Sequence, residues 1–264
     1  MSKLKVIYEP KGKAREYAEL AVNLFETCWH GCQYCYAPRV LHKKPEEFFA
    51  PTRPRKDIIP KIISDARQLQ ATDDQREILL CFTSDPYQTD VRVNDINRYT
   101  TRAAVRELLE ANLNITILTK GGLSSLWDLA LLEEHKFQVR YGTSLVFSCD
   151  HDCHIWEPNA APTSERIQAL KTVHDKGIRT GVSFVPQWSK VDALRLIEKT
   201  HHFTDKYMVG KLNYHPHAYE VDWSDYTKAV VLKLQHLGKE FYIKKDLRVF
   251  LKPGTKAPRN WGGK

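Results

Sequence analysis

Residues 21–38 read Ala21-Val-Asn-Leu-Phe-Glu-Thr-Cys28-Trp-His-Gly-Cys32-Gln-Tyr34-Cys35-Tyr-Ala-Pro38. An apolar run of strand length, residues 21–25, leads directly into three cysteines within eight residues. A strand that delivers ligand-bearing side chains to the loop at its end is how barrels of parallel strands carry chemistry. The rest of the chain repeats this grammar. Strand-like runs recur at 78–82 (ILLCF), 115–119 (ITILT), 138–146 (QVRYGTSLV), 179–185 (RTGVSFV) and 207–212 (YMVGKL). They are rich in Val, Ile, Leu and Phe, as strands buried on both faces must be. Helical patterns fill the gaps at 57–70, 97–111, 123–134, 163–176, 190–200 and 224–237. The helix at 163 opens on Thr-Ser-Glu-Arg, a cap sequence, and ends at Gly177. Strand–helix alternation predicts βαβ units and a parallel sheet. The expected fold is therefore α/β, a partial (β/α)6 TIM-type barrel with parallel strands and a small C-terminal extension. Residues 1–221 form the expected barrel domain. Residues 222–264 form a helix/strand extension, containing the strand-like Phe241-Tyr-Ile243, and a basic tail.

Composition bounds the function classes. The chain has 264 residues, 42% hydrophobic and 27% charged, as in soluble globular proteins. It has no uninterrupted apolar run of 18 residues, and its charged N-terminus lacks the apolar core of a secretory signal. The expected location is cytoplasmic. Net charge is +8 and the pI about 9.1, a balance that suits anionic partners, nucleic acid first among them. Basic residues cluster at 39–44 (RVLHKK), 53–56 (RPRK), 244–248 (KKDLR) and in the tail; a basic enzyme with dispersed lysines is the alternative. Among six cysteines, the close set 28, 32 and 35 points to a metal or redox site rather than a disulfide framework in a reducing compartment.

The CxxxCxxC spacing lets one loop wrap a cluster, and Gly31 permits the tight turn. Thiolates are the usual ligands of iron–sulfur clusters. Three ligands on a four-iron cluster leave one iron open to substrate or cofactor. A zinc site is the competing metal reading and needs a fourth ligand, such as His30 or a distant Cys or His.

With its aromatic before the last cysteine, this motif resembles the radical S-adenosylmethionine (SAM) superfamily. The strings NLFETCWHGCQYCYAPR, FTSDPYQ, ILTKGG and WEPNAAPTSERIQALKTVHDKGIRTGVSFVPQ resemble its spore photoproduct lyase-like branch, often described as DNA repair photolyase-like. The similarity runs from about residue 18 to about residue 212. It implies an enzyme whose [4Fe–4S] cluster, held by Cys28, Cys32 and Cys35, reductively cleaves SAM to a 5′-deoxyadenosyl radical that abstracts a hydrogen atom from substrate. It implies Tyr34 near adenine, Ser84 and Asp85 at the SAM amino group, and Lys120 at the carboxylate with Thr119 beside it. Ser144 is implied at ribose or carboxylate, and the backbone of residues 182–185 near adenine. The implied partners are a DNA or RNA substrate, for lesion repair or modification, and an electron donor such as flavodoxin or ferredoxin. A radical SAM enzyme acting on a peptide or small molecule, and a non-enzymatic zinc-binding nucleic-acid protein, are the alternatives.

Residues 148–154, Ser148-Cys149-Asp-His151-Asp-Cys153-His154, depart from the resemblance. As a strand-end loop they admit three readings: a second metal site, a hydrogen-atom donor at Cys149 or Cys153, or an ordinary polar loop with two free thiols. Glu157-Pro158 matches the branch and is expected to position this loop. The pairs His201-His202 and His215-Pro-His217 read as surface or capping residues.

Overall fold

A computed structural model of the chain describes residues 4–92 and 94–251. Seven strands form one sheet in strict sequence order: β1 (Leu20–Val22), β2 (Ile78–Leu80), β3 (Ile115–Thr119), β4 (Val139–Ser144), β5 (Arg179–Phe184), β6 (Lys206–Val209) and β7 (Glu240–Ile243). Every pairing is parallel, with register running, for example, from Ile115↔Val139 to Thr119↔Thr143 between β3 and β4. The sheet does not close, since β1 and β7 are its two edges. This is the expected partial barrel of parallel strands, with seven strands instead of six. The seventh is the strand-like run beyond residue 221, which pairs Tyr207↔Phe241 and Val209↔Ile243. The tail, residues 252–264, lies outside the described residues.

Helices follow the strands as the periodicity predicts. Two one-turn helices, α1 (Ala37–Val40) and α2 (Pro45–Phe48), come directly after the cysteines. Then come α3 (Ile58–Gln70), α4 (Asn94–Glu110), α5 (Leu129–Glu134), α6 (Asp150–Trp156), α7 (Thr163–Asp175), α8 (Lys190–Thr200) and α9 (Trp223–His236). The pattern at 123–134 splits into a 3-10 segment, Gly122–Asp128, and α5. The Thr163 hydroxyl does not cap its own helix. It donates to the Phe147 carbonyl at 2.9 Å, joining α7 to the end of β4. Gly177 closes α7 at φ +76°, where a side chain would be strained.

Strand side chains are buried almost throughout, which is why the runs lack polar alternation. The N-terminal segment is held by one carboxylate that the sequence reading missed. Asp65, buried on α3, accepts backbone N–H groups of Lys5 (2.8 Å), Val6 (2.7 Å) and Ile7 (2.9 Å). Asp65→Ala is expected to cost about 2 kcal/mol, since several charge-assisted bonds vanish and the buried Ile7 amide loses its partner. Guanidinium unfolding measures this; a change within 0.5 kcal/mol would mean that the segment finds other partners (about the scatter of a neutral surface substitution). Among the described residues, no helix is long and apolar enough to cross a membrane.

Candidate active site

All seven strands end on one cavity of about 420 Å³. The β1 end supplies Cys28, His30, Cys32, Tyr34 and Cys35; the β2 end supplies the stretch 81–85; Lys120 follows β3, and Ser144 closes β4. Val185 and Pro186 come from the β5 end, Lys211, Asn213 and Tyr214 from the β6 end, and Lys244 from the β7 end. Residues as far apart in the chain as Cys28 and Lys244 thus face one space, and the parallel sheet brings them together.

The cysteine loop is fixed by its backbone. Cys28 N–H donates to Phe48 O at 2.9 Å, Gln33 N–H to Trp156 O at 2.9 Å, and Cys35 N–H to Cys32 O at 3.0 Å. Gly31 sits at φ +64°, as the tight turn requires. Burial pushes all three thiols above the ordinary cysteine value, and the neighbouring thiols push Cys28 further. His30 lines the cavity too, with Nε2 buried and unpartnered. Burial pulls its pKa down to about 4, against the nearby Asp85, so the imidazole is neutral at pH 7. Three thiols from one loop, facing one cavity, suit an iron–sulfur cluster with one cysteine per iron.

The residues singled out at the strand ends divide into two groups. Ser84, Lys120, Tyr34 and Ser144 line the cavity, and Ser84 Oγ is buried with no hydrogen-bond partner. Asp85 lines it as well, and its carboxylate also ties the fold together. It accepts from Thr119 Oγ1 (2.6 Å), Lys120 N–H (2.7 Å) and Tyr87 N–H (2.8 Å), tying the β2 end to the β3 end. Thr119 is not on the cavity lining; its hydroxyl serves Asp85 and accepts the Gly121 N–H. Gly121 is obligatory by packing, because a Cβ there would stand 2.3 Å from Tyr87 O.

Behind the cavity lies an ion pair that the sequence only half disclosed. Glu157 and Arg166 are both fully buried and 2.6 Å apart. Glu157 accepts from the Tyr34 hydroxyl and stands 3.8 Å from Lys120 Nζ. Arg166 donates to Ala161 O (2.7 Å), Ser144 O (3.0 Å) and Cys153 Sγ (3.3 Å). Burial pushes the Glu157 carboxyl up, against the pull of Arg166. One pair therefore holds the cysteine loop, the β4 end and α7 in register.

Residues 148–154 are not a loop: α6 starts at Asp150, with Cys149 in the extended cap position. Asp150 and Asp152 in the first turn favour this start through the helix dipole; the segment is too short to carry helical periodicity. Cys149 is exposed, its Sγ 3.2 Å from Asp152. Cys153 is buried between Arg166 and Glu157, and neither thiol lines the cavity. Besides Cys28, Cys32 and Cys35, the cavity lining includes Cys81, which the sequence reading passed over. It is buried, sits in the left-handed region at φ +58°, and its N–H is fixed to Val22 O at 2.8 Å.

No family model matches this chain. A protein of Acidianus two-tailed virus, itself uncharacterized (ORF301), is 27% identical over 180 residues, covering 63% of this chain and 55% of its own. The chain thus spans about half the length of that relative. Among solved structures, spore photoproduct lyase complexed with dinucleoside spore photoproduct superposes with a TM-score of 0.66 at 15% identity, over 91% of this chain and 78% of its own. A mutant of that lyase with bound S-adenosylmethionine and the same dinucleoside gives 0.67 at 14% identity, with the same coverage. SuiB of Streptococcus suis bound to S-adenosylmethionine gives 0.61 at 14% identity, over 90% and 53%. SuiB has also been solved with its precursor peptide SuiA. The chain has the fold of these proteins, in line with the resemblance carried by its motifs.

Proposed function

We propose that this chain is a radical SAM enzyme. The observation that carries this reading is the convergence of Cys28, Cys32 and Cys35 with all seven strand ends on one cavity. Cys28, Cys32 and Cys35 would hold a [4Fe–4S] cluster, and Ser84, Lys120, Tyr34 and Ser144 would contact SAM. Cluster and SAM, when bound, supply reductive carbon–sulfur cleavage and a carbon radical able to take a hydrogen atom from substrate. The chain's own residues hold, orient and shield these groups. Asp85 and Thr119 fix the β2 and β3 ends; the Glu157–Arg166 pair fixes Tyr34 and the backbone of Ser144.

Cys81 is the hydrogen-atom donor in this reading. Burial raises its pKa to about 12, so it keeps the S–H hydrogen at neutral pH. Transfer of that hydrogen with one electron to a product carbon radical forms a C–H bond and leaves a thiyl on Cys81. The check is the yield of product per 5′-deoxyadenosine. Cys81→Ala should lower it several-fold and Cys149→Ala should leave it alone; the reverse order would transfer the role to Cys149.

The substrate we propose is nucleic acid, supported by the net charge of +8, the branch resemblance and the dinucleoside bound by spore photoproduct lyase. Electrons would come from a carrier such as flavodoxin or ferredoxin. The peptide bound by SuiB supports a second reading, a peptide substrate. Binding of DNA or RNA that weakens steeply with salt, and raises turnover, is expected for the first. Salt-insensitive or absent binding would favour the second.

A further inference from the structure

Lys244 follows β7 directly and is 2% exposed, yet it lines the cavity. Its backbone N–H donates to Val209 O at 2.8 Å, and its stem lies over Gly210, where a Cβ would stand 2.8 Å from Lys244 Cδ. The ammonium makes one hydrogen bond among the described contacts, 3.3 Å to Lys13 O, and lies 4.4 Å from the Tyr17 ring centroid. Two carboxylates are near but serve other donors. Glu16 accepts from Tyr242 and from Lys245 N–H, and Asp246 pairs with Lys13 at 2.7 Å. Burial pulls Lys244 down to about 8, with Glu16 and Asp246 holding it up. A buried ammonium with unfilled donors is costly, and an oxyanion in the cavity would complete it. Lys11, Lys13 and Lys211 line the same cavity. Lysine ammonium groups bind phosphate as point charges, and several around one site suit its multiple negative charge.

We propose that Lys244, with Lys11, Lys13 and Lys211 around it, forms a subsite for a phosphate group of the substrate. The inference rests on reading this cavity as the active site, and adds the chemistry that recognises the substrate there. The phosphate belongs either to a free nucleotide or to a nucleic-acid backbone.

The test is a binding titration of the anaerobically reconstituted full chain with thymidine, thymidine 5′-monophosphate and a short oligothymidylate. At least one phosphate-bearing probe should bind about tenfold or more tightly than thymidine, the usual value of a charged hydrogen bond. Preference for the monophosphate alone identifies a free nucleotide, and preference for the oligomer alone identifies a polymer. Lys244→Met should abolish the preference, and Lys244→Arg should keep part of it. Lys211→Met, at a half-buried position, should lower it less, and serves if Lys244→Met does not fold. Equal binding of thymidine and both phosphates, an unchanged preference in the Lys244→Met and Lys211→Met proteins, or tighter binding of oligoglutamate would overturn the subsite. Assay of 5′-deoxyadenosine on the same samples is independent. Its absence would sink the enzymatic reading and leave the phosphate preference as measured.

Discussion

Replacing Cys32 with alanine is expected to abolish both cluster assembly and SAM cleavage, while the chain still folds. Cys32 is buried on the cavity wall, and the loop around it is anchored through main-chain bonds to Phe48 and Trp156. Those anchors survive the substitution, so the loss is chemical: two thiolates remain where three are needed. Iron and sulfide analysis after anaerobic reconstitution reads the first effect, and 5′-deoxyadenosine the second. Cys149→Ala, at an exposed position off the cavity lining, should leave both untouched. A Cys32→Ala protein that keeps its cluster and cleaves SAM would contradict the ligand set.

The second large effect concerns stability. Arg166→Met should destabilise the fold by about 3–5 kcal/mol, the range for removing one partner of a buried ion pair. It leaves the Glu157 carboxylate without its close charged partner, with only Lys120 Nζ at 3.8 Å, and two carbonyls, Ser144 and Ala161, without their arginine donor. Glu157→Gln combined with Arg166→Met should recover part of the loss, because no charge then stays buried alone. A double-mutant cycle by guanidinium unfolding measures the coupling. A cost below about 1 kcal/mol for Arg166→Met, the size of an ordinary substitution, would show that the pair is not what holds the two strand ends together.

Six strands and the cysteine loop were legible because each carries a local signal: an apolar run in strand length, or thiols at ligand spacing. β7 was readable as a strand, but nothing in Phe241-Tyr-Ile243 says whether a short strand joins a sheet or lies apart. Counting it into the sheet is what places Lys244 at a strand end. Arg166 was hidden because an arginine in an amphipathic pattern reads as solvated; its partner Glu157 was marked only by resemblance. Cys81 lies inside the apolar run 78–82 and looks like core, and neither its left-handed backbone nor its place on the cavity lining carries a local signal. Asp85 and Thr119 illustrate the converse. Strand-end placement brought both near the site, but it did not show the hydrogen bonds by which they join the β2 and β3 ends.

The most direct test of the central reading is SAM cleavage by the wild-type chain. The protein is reconstituted with iron and sulfide without oxygen, reduced, and given SAM. The account predicts a brown protein that releases 5′-deoxyadenosine. A colourless protein with no cluster spectrum and no 5′-deoxyadenosine would contradict it.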